Sequence, residues 1–201
     1  MIIFPLAFSF IKLLMTFPVL VEGGSMLPTF SEGEIVYMGA YEAKFEGVGR
    51  GDVVVFEMGE GSGGAGGGDG TEVSEGGGAS EVSGGGVGEA NVFGAGGAAD
   101  EYLFIKRVIG MPGDRIMIRD GGVEVNGKML SEPYARGETK VDSFEDPVMS
   151  ADAQGIVYNV PAGKYFVLGD NREASIDSRN FVGTYVDSGE VLGKLVVGVW
   201  R

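Results

Sequence analysis

Apolar residues in this chain come in short runs closed by glycine, proline or an acidic turn residue. After residue 30 no stretch keeps the three-to-four residue spacing of an amphipathic helix. Glu34–Met38, Asp52–Phe56, Tyr102–Ile109, Arg115–Ile118, Val123–Val125, Tyr165–Leu168 and Val191–Trp200 are rich in β-branched and aromatic side chains, which predicts strands. Pro112-Gly113-Asp114, Asp120-Gly121-Gly122 and Asn126-Gly127 read as the turns between them. Glu132–Gln154 is polar, contains Pro133 and Pro147, and reads as loop. The fold class expected is mainly β.

Two segments depart from this pattern. From Ile2 to Val21 the chain is apolar apart from Ser9, Lys12 and Thr16. The run has the ~20 residues a spanning helix needs, but Lys12 in its middle would cost roughly 2.5–3.5 kcal/mol at the bilayer centre. Pro5 and Pro18 each remove a helical donor. The parse that fits better makes residues 1–12 a short or incomplete membrane anchor with Lys12 at the interface. Eleven helical residues reach only ~16 Å against a ~30 Å hydrocarbon core. Met15–Glu22 then becomes an extended strand. The second departure is Gly59–Ala99, nearly half glycine and free of Lys and Arg. Its composition cannot bury enough apolar surface to offset the entropy of ordering, so it reads as a disordered insertion. The organisation expected is 1–12 anchor, 13–58 first part of a β domain, 59–99 insertion, and 100–201 the remainder.

Composition narrows the chemistry. The 201 residues carry a formal charge of −14, which argues against nucleic acid as a partner. There is no histidine and no cysteine. A Ser-His-Asp triad, a Cys-His pair and a histidine or thiolate zinc site are therefore impossible, and no cofactor or metal is expected. A serine nucleophile in such a chain needs a carboxylate or an amine as its base.

Ser25 is the candidate nucleophile. Gly23 and Gly24 precede it, allowing backbone geometries and close approach that other residues forbid, and Met26, Leu27 and Pro28 follow. Lys106 is the candidate base. Strand alternation places it on the same face as Phe104 and Val108, where burial disfavours the ammonium. The third element is Gly169-Asp170-Asn171-Arg172-Glu173-Ala174-Ser175-Ile176-Asp177-Ser178-Arg179 at the end of an apolar run. Its acids and arginines suit an ion-pair scaffold, and Ser175 could hydrogen-bond the Lys106 amine.

Four blocks, in order, resemble the type I signal peptidase family of membrane-bound serine proteases: Gly24–Thr29, Arg50–Phe56, Lys106–Asp114 and Gly169–Arg179. Asn126-Gly127, Glu132-Pro133-Tyr134 and Gly193-Lys194 add smaller agreements, and the resemblance runs from about Lys12 to Arg201, leaving out the glycine-rich stretch. The resemblance implies a signal-peptidase-like catalytic β core with an N-terminal apolar, membrane-associated segment, on the extracytoplasmic face. It implies removal of signal peptides from exported preproteins after small residues, of the Ala-x-Ala type, with substrate bound extended beside the strand that leads into Ser25. Ser25 would be the nucleophile and Lys106 the general base. Ser175 would position the lysine, Asp177 and Arg179 would support the site, Asp170, Gly24 and Met26 belong to the matching blocks around the dyad, and Gly23 directly precedes the first of them. Some members carry a serine where this chain has Gly23, which leaves the second oxyanion donor open. The alternatives are a non-catalytic signal-peptide-binding or structural membrane paralogue, or another Ser/Lys peptidase such as a pilin-maturation protease. A self-cleaving repressor would need a basic DNA-binding domain ahead of Ser25, where only 24 apolar-rich residues stand.

Overall fold

Val53-Val54-Val55-Phe56 is apolar at every position because its strand is covered on both faces. Val53 and Val55 pack with Val19, Val21, Met26, Val36, Met38 and Ile105, while Val54 and Phe56 point the other way, towards Phe104, Val108, Val167 and Phe181. Successive side chains of a strand alternate between faces, so a run without polar positions marks a strand between two apolar layers. The computed structural model describes residues 12–58, 90–92, 102–141, 150–152, 155–181 and 183–197.

In chain order the strands are β1 (Thr16–Val21), β2 (Ile35–Gly39), β3 (Val53–Met58), β4 (Ala90–Val92), β5 (Tyr102–Gly110), β6 (Arg115–Arg119), β7 (Gly122–Val125), β8 (Lys128–Met129), β9 (Ser150–Asp152), β10 (Gly155–Asn159), β11 (Lys164–Leu168), β12 (Val186–Asp187) and β13 (Val191–Val197). A five-residue π-helical turn, Glu42–Glu46, lies between β2 and β3. Eight strands form one sheet in the order β12-β11-β5-β3-β13-β2-β1-β4, and β8-β7-β6-β10-β9 form a second. Every pairing between these strands is antiparallel. The last strand, β13, inserts between β2 and β3, so the segments on either side of the glycine-rich stretch build a single sheet.

The smaller sheet is a meander set by two turns. Asp120-Gly121 joins β6 to β7 and Asn126-Gly127 joins β7 to β8, each with positive φ at both residues. That is the two-residue hairpin geometry Asp-Gly and Asn-Gly favour. Its inner face closes a core of Ile109, Ile116, Val123, Tyr158, Phe166 and Leu168 against the β5–β11 end of the large sheet. At the Pro112-Gly113-Asp114 turn, the buried Asp114 carboxylate pairs with Arg50 at 2.8 Å and accepts from Asn126 Nδ2 at 2.7 Å.

The mainly β expectation holds, and each apolar run named above contains a strand. The differences have physical reasons. Ala90–Val92, inside the stretch read as disordered insertion, forms β4 by pairing with β1; residues 59–89 and 93–101 lie outside the described residues. Within the region read as loop, Ser150–Asp152 pairs with β10 as β9. Neither segment has the apolar density of a core strand in its sequence, and each is a strand through backbone pairing with a neighbour, β4 with β1 and β9 with β10. Residues 1–11 of the expected anchor lie outside the described residues. Lys12 lies 3.6 Å from Glu42, hydrogen-bonds Glu46 and sits over the Tyr41 ring. Among the described residues no helix is long and apolar enough to cross a membrane.

Gly110 tests the packing between the sheets. A Cβ there would stand 2.9 Å from Phe166 Cβ and 2.9 Å from a Val160 methyl. Gly110→Ala is expected to destabilise the protein by about 1–3 kcal/mol through overpacking. Urea unfolding should show a lowered midpoint with an unchanged slope.

Candidate active site

Ser25 sits in the turn that follows β1. Gly23 takes φ 70°, a conformation side chains disfavour, and turns the chain out of the strand. The Leu27 N–H donates to the Gly24 carbonyl at 3.2 Å, the Phe30 N–H to the Met26 carbonyl at 2.9 Å, and the Leu27–Pro28 peptide is cis. Met26 is fully buried among Val19, Val21 and Phe30, so the turn is pinned through the residue after the serine. A Cβ on Gly24 would meet Leu27 at 3.3 Å.

Lys106 stands in mid-β5, opposite Val54 of β3, and its Nζ lies 5.6 Å from the centre of the Phe104 ring. The amine donates to Ser25 Oγ at 2.9 Å and to the Ile105 carbonyl at 3.0 Å. Ser25 is 2% exposed and Lys106 0%. Loss of hydration lowers the Lys106 pKa from the usual 10.5 to about 8, against a partial opposing pull from Asp177 and Asp170. An amine in that state is close to neutral at moderately alkaline pH, and its lone pair can accept the serine proton across the same 2.9 Å contact.

The loop after β11 locks the serine to the lysine strand. Asn171 donates its backbone N–H to the Ser25 carbonyl and its Nδ2 to the Gly24 carbonyl, both at 2.9 Å. Asp170, fully buried, accepts Arg107 Nε at 2.8 Å and Nη2 at 2.6 Å, and also accepts the Thr29 hydroxyl. This carboxylate joins the residue next to Lys106 with the end of the Ser25 turn. Asp177 accepts the Gly169 N–H at 2.9 Å and both Nε and Nη2 of Arg179, at 2.8 and 2.9 Å. Arg179 Nη1 continues to the Lys140 carbonyl. Arg172, buried, donates to Gly169 O, Glu132 and Thr139.

The structure therefore brings Ser25 and Lys106 into contact, shapes the turn with Gly23, Gly24 and Met26, and sets Asp170, Asp177 and Arg179 as a buried ion-paired frame. Ser175 is placed differently from the expectation. Its Oγ is buried without a hydrogen-bond partner among the described residues, so it is not bonded to the Lys106 amine. The reason is the space left by Gly169: a Cβ there would fall 2.1 Å from Ser175 Oγ and 2.6 Å from the Ser25 carbonyl oxygen, and the serine side chain fills that gap. Reasoning from sequence did not single out Arg107, Thr29, Asn171 or Gly169. All four lie inside the matching blocks, but alternation aims Arg107 away from Lys106, and Thr29 meets Asp170 across 141 positions of chain. Among the described residues no group of Asp and Glu could hold a metal ion.

Fold and site together define a class: a mainly β enzyme that buries a serine hydroxyl against a lysine amine. The family model for signal peptidase, peptidase S26, matches residues 1–200. A signal peptidase I of Bacillus licheniformis is 33% identical over 179 residues, covering 88% of this chain and 72% of that protein. Signal peptidase I V of Bacillus subtilis strain 168 is 30% identical over 181 residues, covering 89% and 80%. A crystal structure of a signal peptidase I from Enterococcus faecalis V583 is 33% identical and covers 47% of this chain and 83% of its own, with a TM-score of 0.35. The chain belongs to the signal peptidase family, peptidase S26, and is an enzyme of the serine endopeptidase class.

Removing one member of a buried ion pair leaves the other charge uncompensated, at about 3–5 kcal/mol. Asp170→Ala should lose about that much unfolding free energy, because it strands Arg107; chemical denaturation checks it. Lys106 makes a second prediction with a definite sign. Below about pH 8 the lysine is protonated folded and unfolded, and the fold carries the full cost of burying the charge. Between about 8 and 10.5 the unfolded chain holds the proton and the folded one does not, so stability rises with pH. The rise across that window should shrink in Lys106→Met, as unfolding measured in parallel with the parent protein will show.

Proposed function

We propose that this protein is a membrane-associated signal peptidase that removes N-terminal signal peptides from exported preproteins after small residues, with Ser25 as nucleophile and Lys106 as general base. The observation that carries the reading is the buried 2.9 Å contact between Ser25 Oγ and the Lys106 amine. Membership of the signal peptidase family supports the substrate class.

In the first step neutral Lys106 takes the Ser25 hydroxyl proton as Oγ bonds to the scissile carbonyl carbon, and the carbonyl oxygen becomes an oxyanion. The Ser25 backbone N–H suits the role of oxyanion donor, since among the described residues no backbone hydrogen bond engages it. Collapse of the intermediate breaks the C–N bond, and Lys106 returns its proton to the leaving amine. Water then attacks the acyl ester, Lys106 accepts the water proton, and that proton goes to Ser25 Oγ as the acid product leaves. Substrate seated over the dyad would exclude more water and lower the lysine pKa further. Ser175 keeps a positioning role in this reading: its unpaired buried hydroxyl lies beside Gly169 and the Ser25 carbonyl, within the frame that holds the amine.

Leu13, Leu14 and Phe45 are more than half exposed close to Lys12, which supports docking of this end on membrane lipid. Side chains this apolar belong at a lipid surface rather than in water.

Ser25→Ala and Lys106→Ala should each abolish cleavage of a preprotein in detergent, while Ser175→Ala weakens it. The parent rate should rise with pH and level off above about 8, because the deprotonated amine is the active form. Full activity in Lys106→Ala, or a rate flat across that range, would overturn the dyad.

A further inference from the structure

The outer edge of β1 is not free. Val21 spends its backbone groups on the β2 side, donating to Glu34 O and accepting from the Gly33 N–H, both at 2.8 Å. Backbone groups alternate along an antiparallel strand, so the N–H and C=O of Leu20 face the opposite edge. Pro18 lies on that same edge, where a missing N–H does no harm to the β2 ladder. There β4 pairs antiparallel, with Val19 opposite Val92, Leu20 opposite Asn91 and Val21 opposite Ala90. β4 also lies against β5, the strand that carries Lys106. β4 is thus next to both strands of the dyad, and its register stops four residues short of Ser25, which is itself nearly inaccessible to solvent.

An endopeptidase acting on an extended segment needs an unpaired strand edge near its nucleophile, where the substrate's own N–H and C=O groups can add to the sheet. Here that edge is filled by the chain itself, with an uncharged Ala90-Asn91-Val92 segment that contains no proline. We infer that Ala90–Val92 is an internal competitor for the substrate edge: it pairs with β1 where an extended substrate would pair, and substrate must displace it before cleavage. This rests on the peptidase reading above and adds a regulatory element to it. The apparent affinity for substrate is lowered by the fraction of time β4 is docked.

The absence of cysteine makes a clean test possible. Leu20 and Asn91 are directly opposed, and such a hydrogen-bonded pair has Cα atoms about 5.5 Å apart, within the span of a disulfide. The full chain carrying Leu20→Cys and Asn91→Cys should cross-link on oxidation. The oxidised form should cleave an Ala-x-Ala peptide at least about tenfold less efficiently than its reduced form, and dithiothreitol should restore the rate. In a second variant, Asn91→Pro removes the ladder N–H and should lower KM several-fold with kcat little changed, while Asn91→Ala leaves KM as it was. Failure to cross-link, equal cleavage by oxidised and reduced protein, or an unaltered KM in Asn91→Pro would each overturn the inference. Peptide affinity measured by fluorescence anisotropy on the same variants in a Ser25→Ala background separates the two readings. Affinity that changes with β4 while no reduced form cleaves peptide sinks the peptidase assignment and keeps the strand; cleavage with affinity indifferent to β4 does the reverse.

Discussion

The structure depends on keeping an amine in a place where an ammonium is unwelcome. Lys106 lies in the apolar layer of β3 and β5, where its amine donates to the Ser25 hydroxyl and to the Ile105 carbonyl. A carboxylate bonded directly to it would raise its pKa and end its use as a base. The two acids whose charge acts on it are engaged elsewhere: Asp170 is forked by Arg107, and Asp177 by Arg179 and the Gly169 N–H. Their charge still pulls on the lysine, but burial wins, and the pKa settles near 8.

That arrangement explains why so much polar machinery is buried. Each arginine neutralises an acid and spends remaining donors on backbone: Arg107 on the distant Gly51 carbonyl, Arg179 on the distant Lys140 carbonyl, and Arg172 on Gly169 within its own loop. Buried charges are tolerated because almost every donor has a partner. Ser175 is an exception. Its hydroxyl is held unpaired by close packing on Gly169, one layer from the reacting groups. The stability forgone in this region goes into holding Ser25 and Lys106 in one geometry.

Much of this was legible in the chain because the signals were local. Runs of β-branched residues named the strands, and Asp120-Gly121 and Asn126-Gly127 named the hairpins, since their left-handed backbone is a property of the residues themselves. Lys106 was legible as a buried base because alternation alone places it with Phe104 and Val108. β4, β9 and the ties of Asn171 and Thr29 were not legible. They depend on partners far along the chain, and no local pattern in Ala90–Val92 announces that β1 has an edge to offer.

Residue content alone limits the chemistry available: without histidine or cysteine a serine must use an amine or a carboxylate, and one lysine stands in an apolar strand. The order of residues sets the β character and the turns. Tertiary structure decided which groups meet. Ser25 and Lys106 are 81 positions apart, and only the curled sheet brings them to 2.9 Å. It also decided that Ser175 packs on Gly169 rather than bonding the amine, and that part of a glycine-rich stretch lies along β1. Hydrogen bonding and desolvation act through space, so their outcome is set when distant strands close on one another.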